Sequence, residues 1–256
     1  MELELTDSIT VVFSISILLL TLFLIAIFSR RRKSPFPLRR IAAYDRVAAM
    51  VGRSVEADRP LHLSLGSAGI GGEQTLLALA GAEMAYQIAL QAAIGDQSPI
   101  VTVSEASALP LAQTTLREAY RTRNLANRYR FTSARWYPSG SRSLAFAAAI
   151  TAMMSDDRVA GNVMTGSYGP ELALILTASK RHGAPSIAVS NQLSGQAVAV
   201  ALADYPLIGE EIFVSTPYLD KEGARSSEAV VMDVLRWLLI LAMLAGFVAT
   251  IANNGG

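Results

Sequence analysis

The chain has 256 residues, 52% of them hydrophobic and 17% charged, with 22 Lys and Arg against 21 Asp and Glu. A soluble domain carries about 25% charged residues, so part of this chain is committed to apolar surface. With no cysteine and only His62 and His182, the sequence excludes a disulfide scaffold, a thiol nucleophile and a Cys- or multi-His metal site, and its near-zero net charge makes nucleic acid a poor partner.

Residues 9–28 form an uncharged run rich in Leu, Ile, Val and Phe. At helical rise it covers about 30 Å, the thickness of a bilayer's hydrocarbon core. A cleaved signal peptide needs a basic leading region and a shorter apolar stretch; here Glu2, Glu4 and Asp7 come first. The run therefore predicts a transmembrane helix over 9–29, preceded by a short external segment, 1–8. Residues 30–40 follow as a basic linker with Arg30, Arg31, Arg32, Lys33, Arg39 and Arg40. Such a collar suits the anionic headgroups of a lipid bilayer. A second span is predicted over 234–252, with Arg236 and Trp237 as interfacial anchors and 253–256 beyond it. No Lys or Arg precedes residue 9 or follows residue 237. The positive-inside rule then places a middle domain, 41–228, in the cytoplasm and both termini outside a cell membrane.

Within the middle domain, helix and strand patterns alternate. Helices are predicted over 41–51, 72–94, 111–123, 143–154, 171–181 and 195–203. Strands are predicted over 61–65, 100–103, 129–132, 159–164, 186–189 and 212–215. The alternation predicts an α/β fold, a Rossmann-like, mostly parallel sheet with helices on both faces. Two stretches resemble each other. Gly66-Ser67-Ala68-Gly69 and Gly166-Ser167-Tyr168-Gly169 each follow a strand and precede a helix, and each is followed by a Pro-x-x-x-Val-Ser strand ending at Ser104 or Ser190. A duplicated βαβ half and chance similarity among Gly, Ser and Val both account for this.

The strongest local signal for a ligand is the turn containing Gly66, Ser67, Gly69, Gly71 and Gly72. Glycines let the backbone turn sharply beneath a helix N-terminus, whose N–H groups attract anions. Glu105, after the next strand, stands where a dinucleotide fold places a ribose-binding acid. The spacing nevertheless departs from G-x-G-x-x-G, and Glu105 comes later than in the standard unit. A tight βα turn is the other reading. Gly166 and Ser167 form a weaker second candidate, because Glu171 beside them repels anions. No phosphate loop of the Walker type and no G-x-S-x-G elbow is present. The two histidines read as structural, Asp156-Asp157 and Glu210-Glu211 as solvated turns. No catalytic constellation emerges, and no cofactor is required by the sequence.

Between residues 117 and 142 there are seven arginines (Arg117, Arg121, Arg123, Arg128, Arg130, Arg135, Arg142) and one acid, Glu118, with Tyr120, Tyr129, Phe131, Trp136 and Tyr137 among them. This composition favours a protein interface over lipid headgroups, and both over nucleic acid. In the second apolar run, Ala242 and Gly246 have the small-x-x-x-small spacing that brings helices close in lipid.

The basic collar, the turn running from Leu63 to Gly72 and the closing apolar run together resemble a family of bacterial two-span membrane proteins, a domain of unknown function. The resemblance covers most of the chain and implies no activity. The sequence thus leads to two expectations. One is a membrane-anchored, self-associating scaffold, assembly or accessory subunit, partnered by its own copies or by other membrane-protein subunits. The other is a tethered domain, sensory or enzymatic, that binds a nucleotide or an anionic metabolite at the Gly66 turn.

Overall fold

Short β-branched and apolar runs, flanked by glycine and proline, assemble one six-stranded parallel sheet: β1 (Leu61–Gly66), β2 (Ile100–Val103), β3 (Ala134–Trp136), β4 (Gly161–Ser167), β5 (Ser186–Ser190) and β6 (Tyr205–Pro206). Their order is β3-β2-β1-β4-β5-β6. The structure, a computed structural model, describes residues 39–138 and 144–220 and the single helical positions Leu20, Phe23, Val234, Arg236, Leu239, Ile240 and Met243. The chain divides into Arg40–Leu219, which holds the sheet, and a second unit of Met1–Arg39 with Asp220–Gly256. Apart from those single positions, the predicted spans and most of the basic linker, Ala242 and Gly246 included, lie outside the described residues. Among the described residues no helix is long and apolar enough to cross a membrane.

Seven helices complete the domain: α1 (Ala42–Glu56), α2 (Thr75–Ala92), α3 (Leu109–Thr122), α4 (Leu144–Asp156), α5 (Leu172–Arg181), α6 (Leu193–Leu202) and α7 (Ser215–Leu219). α2 packs against α1, α3 and α7 in one layer, and α5 lies between α4 and α6 in the other. Strands β1, β2, β4 and β5 are buried throughout, as a sheet covered on both faces requires. The strand order is that of a doubly wound sheet made of two βαβαβ halves. The look-alike glycine turns open the equivalent helices of those halves, α2 and α5.

Close layer packing follows from small residues. A Cβ on Gly81 would stand 2.8 Å from Leu65 Cδ2 and 3.1 Å from the Thr165 carbonyl, so α2 lies directly over β1 and β4. On the other side Phe146, Ile150, Met154, Leu172 and Leu176 form the core between α4, α5 and the sheet. α7 is fastened to the first layer by Tyr44 of α1. Its ring stacks on Tyr218 at 5.1 Å, and its hydroxyl donates to the Glu211 carbonyl at 2.5 Å. Entry and exit of the domain therefore lie side by side.

Several sequence expectations are corrected. Residues 129–132 are not a strand: 3-10 turns at Ala126–Arg128 and Phe131–Ser133 precede the real edge strand, β3. Residues 212–215 belong to a 3-10 helix, Gly209–Val214, and to the start of α7, while β6 comes earlier. Pro206 has no N–H to give to a ladder, which suits the sheet edge that β6 occupies. Asp157 is no solvated turn residue, since it holds Arg135 at two points, 2.5 and 3.3 Å.

Candidate functional site

In a doubly wound sheet the crossovers from adjacent central strands leave toward opposite faces, opening a crevice beyond the strands' carboxyl ends. Here those strands are β1 and β4, and the crevice brings together every glycine-turn residue singled out from the sequence. Ser67 donates to the Ser167 carbonyl through both its N–H and its hydroxyl, each at 3.1 Å. Gly66 adopts φ +55°, and a Cβ there would stand 2.6 Å from that carbonyl and 2.7 Å from the Tyr168 ring. A Cβ on Gly166 would collide with the Leu65 carbonyl, and one on Gly69 with Glu105. Glu105 thus does meet the first glycine turn, as the acid of a dinucleotide fold would.

Several donors of the two turns are engaged within the chain. Gly71 and Gly72 N–H donate to Thr75 Oγ1 at 3.0 and 3.1 Å, and Ile70 N–H to Ser107 Oγ at 3.0 Å. In the second turn Gly169 N–H donates to the Glu171 carboxylate at 2.7 Å. Side-chain oxygens therefore already take several of the turn N–H groups that a bound anion would use. The open cleft beside the first turn has a volume of about 470 Å³; its charged lining residues are Glu73 and Glu105, with no basic side chain. That field suits neutral or cationic polar ligands better than polyanions.

Ser167 is the centre of the crevice. Its hydroxyl accepts from Gln74 Nε2 at 3.3 Å and from Gln192 Nε2 at 2.9 Å, one amide from each side. Neither carboxamide can take a proton, so Ser167 is held without being activated as a nucleophile. Tyr168, fully buried beneath it, donates to the Ser64 carbonyl at 2.8 Å. Burial raises the pKa of its phenol and the Glu171 charge adds to this, while the Ser64 side chain opposes. Gln74, Thr75, Ser107, Tyr168 and Gln192 were not legible as site residues, because hydrogen bonds of this kind leave no spacing signal.

Tyr120 and Tyr129 draw part of the Arg and aromatic stretch together: their ring centroids are 6.4 Å apart, the Arg128 and Arg130 charges act on Tyr120, and the Arg117 charge acts on Tyr129. Arg117 and Arg121 lie exposed on α3, and Arg121 pairs with Glu118 at 3.7 Å. Arg128 reaches Asp96 at 3.4 Å and the Ile94 and Gly95 carbonyls. Trp136 Nε1 donates to the Ser104 carbonyl at 3.1 Å. Arg130 and Arg135 stand at the opposite, amino edge of the strands. Among the described residues no three His, Asp or Glu side chains group so as to hold a metal ion.

No curated protein and no solved structure matches the chain. The sequence model of one family, described as Domain of unknown function (DUF6754), runs from residue 4 to residue 255, across the α/β domain and both apolar runs, and the chain belongs to that family.

Proposed function

We propose that this protein is a membrane-anchored, self-associating accessory or assembly subunit whose cytoplasmic α/β domain works by surface contact. One observation carries the reading. Helices α2, α4 and α6 are almost free of charge, with only Glu83 in α2 and Asp156 at the end of α4. A helix apolar on all sides is normally covered on all sides. α2 is covered over most of its length by α1, α3 and α7, with Leu76 (71%) and Leu79 (47%) exposed in its first turns. α4 and α6 leave Leu144 (50%), Leu193 (87%) and Val200 (53%) exposed, with Ala148, Ala197 and Ala201 also in the open and Leu174 (52%) on α5 between them. The four exposed large apolar side chains of the α4–α5–α6 layer mark an interaction surface, and one poor in charge is complementary to itself in a second copy. The apolar runs at 9–28 and 234–252 support the anchor, and the adjacent ends of the domain at Tyr44 and Tyr218 suit insertion between two spans.

The chain has no native cysteine, so single cysteines at Leu193, Ala197 or Val200 in the full-length protein test the contact directly. Mild oxidation is expected to link two copies through at least one of them, and not through Arg53→Cys on α1. Equal linking at Arg53→Cys would show random collision and overturn the reading.

The second reading, a domain that binds a nucleotide or anionic metabolite, is favoured by the strand order, which opens a 470 Å³ cleft at the switch point, and opposed by that cleft's acidic lining. It requires Thr75, Ser107 and Glu171 to release the turn N–H groups. A ligand at about 100 times its Kd adds about 2.7 kcal/mol of stability. A nucleotide screen by thermal unfolding of the full chain distinguishes the readings, since a rise of several degrees, abolished by Gly71→Asp, would establish the second.

A further inference from the structure

The amino ends of the strands, opposite the switch point, enclose a second cleft of about 420 Å³. The turns entering β1, β3 and β4 line it. Its floor is the Arg135–Asp157 pair, whose side chains are only 32% and 28% exposed and are satisfied by each other. Around that floor stand Arg59, Arg130 and Arg158, exposed and with no carboxylate within 4.0 Å among the described residues. Asp58 and Asp156 share the rim. Two of these positions are costly to the backbone: Asp58 has φ 48° and Arg158 φ 51°. Glycine adopts that conformation freely, yet a charged residue occupies each, one at the entrance to β1 and one at the entrance to β4.

A volume of 420 Å³ lies in the range of small-molecule sites, which runs from about 300 to 1,000 Å³. The fork of an arginine matches phosphate oxygens at two points, and three guanidinium groups around one cleft suit a phosphate dianion. Carboxylates on the same rim repel a bare polyanion but accept hydrogen bonds from hydroxyl or amino groups. We propose that this cleft binds a phosphorylated small molecule, its phosphate taken by Arg59, Arg130 and Arg158 and its hydroxyl or amino groups by Asp58 and Asp156. The site is separate from the switch-point crevice, where doubly wound folds bind their ligands, and it does not depend on self-association. A soluble sugar phosphate or nucleotide and the headgroup of a phosphorylated lipid share this chemistry.

The test uses the full chain in mild detergent, titrated calorimetrically with inorganic phosphate, ribose 5-phosphate and adenosine monophosphate. In parallel, the chain is reconstituted and mixed with phosphatidylcholine vesicles with and without phosphatidylinositol phosphate. Saturable binding of a soluble phosphate compound, weakened at least about tenfold in Arg130→Glu/Arg158→Glu, supports the site with a soluble ligand. Binding confined to the phosphoinositide vesicles and weakened by the same pair supports it with a lipid headgroup. Asp156→Asn is expected to narrow the preference for ribose 5-phosphate over inorganic phosphate. Should the double variant not fold, Arg59→Gln, a single exposed change, is expected to weaken the same binding. Absence of saturable binding in both arms, or binding that these variants leave unchanged, overturns the proposal.

Discussion

His62 and Asn162 face each other across β1 and β4 in the centre of the sheet, Nδ1 to Oδ1 at 2.6 Å, with no solvent exposure at either residue. Asn162 gives its amide N–H to Ser179 at 2.8 Å, which leaves its oxygen to accept from His62 Nδ1–H. His62 Nε2 then accepts from the Thr102 hydroxyl at 2.8 Å. A polar thread thus runs from β2 through β1 and β4 to α5, and every member is satisfied with the imidazole neutral.

The pH dependence of stability follows. Burial lowers the pKa of His62 to about 4, with Arg135 contributing in the same direction and the Asn162 hydrogen bond opposing. In the unfolded chain the ring takes its proton near pH 6.5. Between those values the unfolded state binds more protons, so stability is full above about pH 6.5 and is lost as pH falls toward 4, by on the order of 3 kcal/mol in all. Thermal unfolding of the full chain at a series of pH values checks this. His62→Gln is expected to be less stable at pH 7.5 and flatter between pH 6.5 and 4; an equally steep variant would place the titrating group elsewhere.

The glycines of the two turns separate into those the packing needs and those it does not. Gly166→Ala puts a Cβ against the Leu65 carbonyl and is expected to cost about 3 kcal/mol or more. Gly72→Ala meets nothing within 4 Å and is expected to change stability by less than about 1 kcal/mol. Comparable losses for both, measured by unfolding of the full chain, would contradict the contacts described between β1 and β4.

Much of this fold could be read from residue pattern because its central strands are short runs without Asp, Glu, Lys or Arg that alternate with longer helical patterns. β3 and β6 could not. β3 buries only Ala134 among its three residues, and β6 is two residues ending in proline, so neither carries periodicity. The last strand was placed at 212–215 because Ile212, Phe213 and Val214 look β-like, whereas Glu211 caps a 3-10 helix by accepting from Ile208 N–H at 2.8 Å. The glycine turns and Glu105 were legible as a group. Their occupation by Thr75, Ser107 and Glu171 was not, since local hydrogen bonds between side chain and backbone depend on geometry that spacing does not encode. The arginines of 117–142 look like one surface in sequence; Tyr120 and Tyr129 bring Arg117, Arg128 and Arg130 near one another, while Arg135 is drawn to Asp157 at the amino edge of β3 and Arg142 lies outside the described residues.

The topology proposal has a direct readout. In intact cells an impermeant thiol reagent is expected to label Ser8→Cys and Asn254→Cys, whereas Ser227→Cys should react only after lysis. Labelling of Ser227→Cys before lysis would place the α/β domain outside.

Self-association through α4 and α6 is the central claim, and the mass of the full-length protein in mild detergent tests it most directly. Native mass measurement over a range of protein concentrations is expected to show a dimer or larger assembly for the wild type. Leu193→Glu/Val200→Glu changes two residues that are 87% and 53% exposed, so the unfolding temperature should hardly move. Burying those charges in a contact costs several kcal/mol, and association should weaken by about a hundredfold or more. A wild-type protein that is monomeric at every concentration, or a double variant that assembles as the wild type does, would contradict the account.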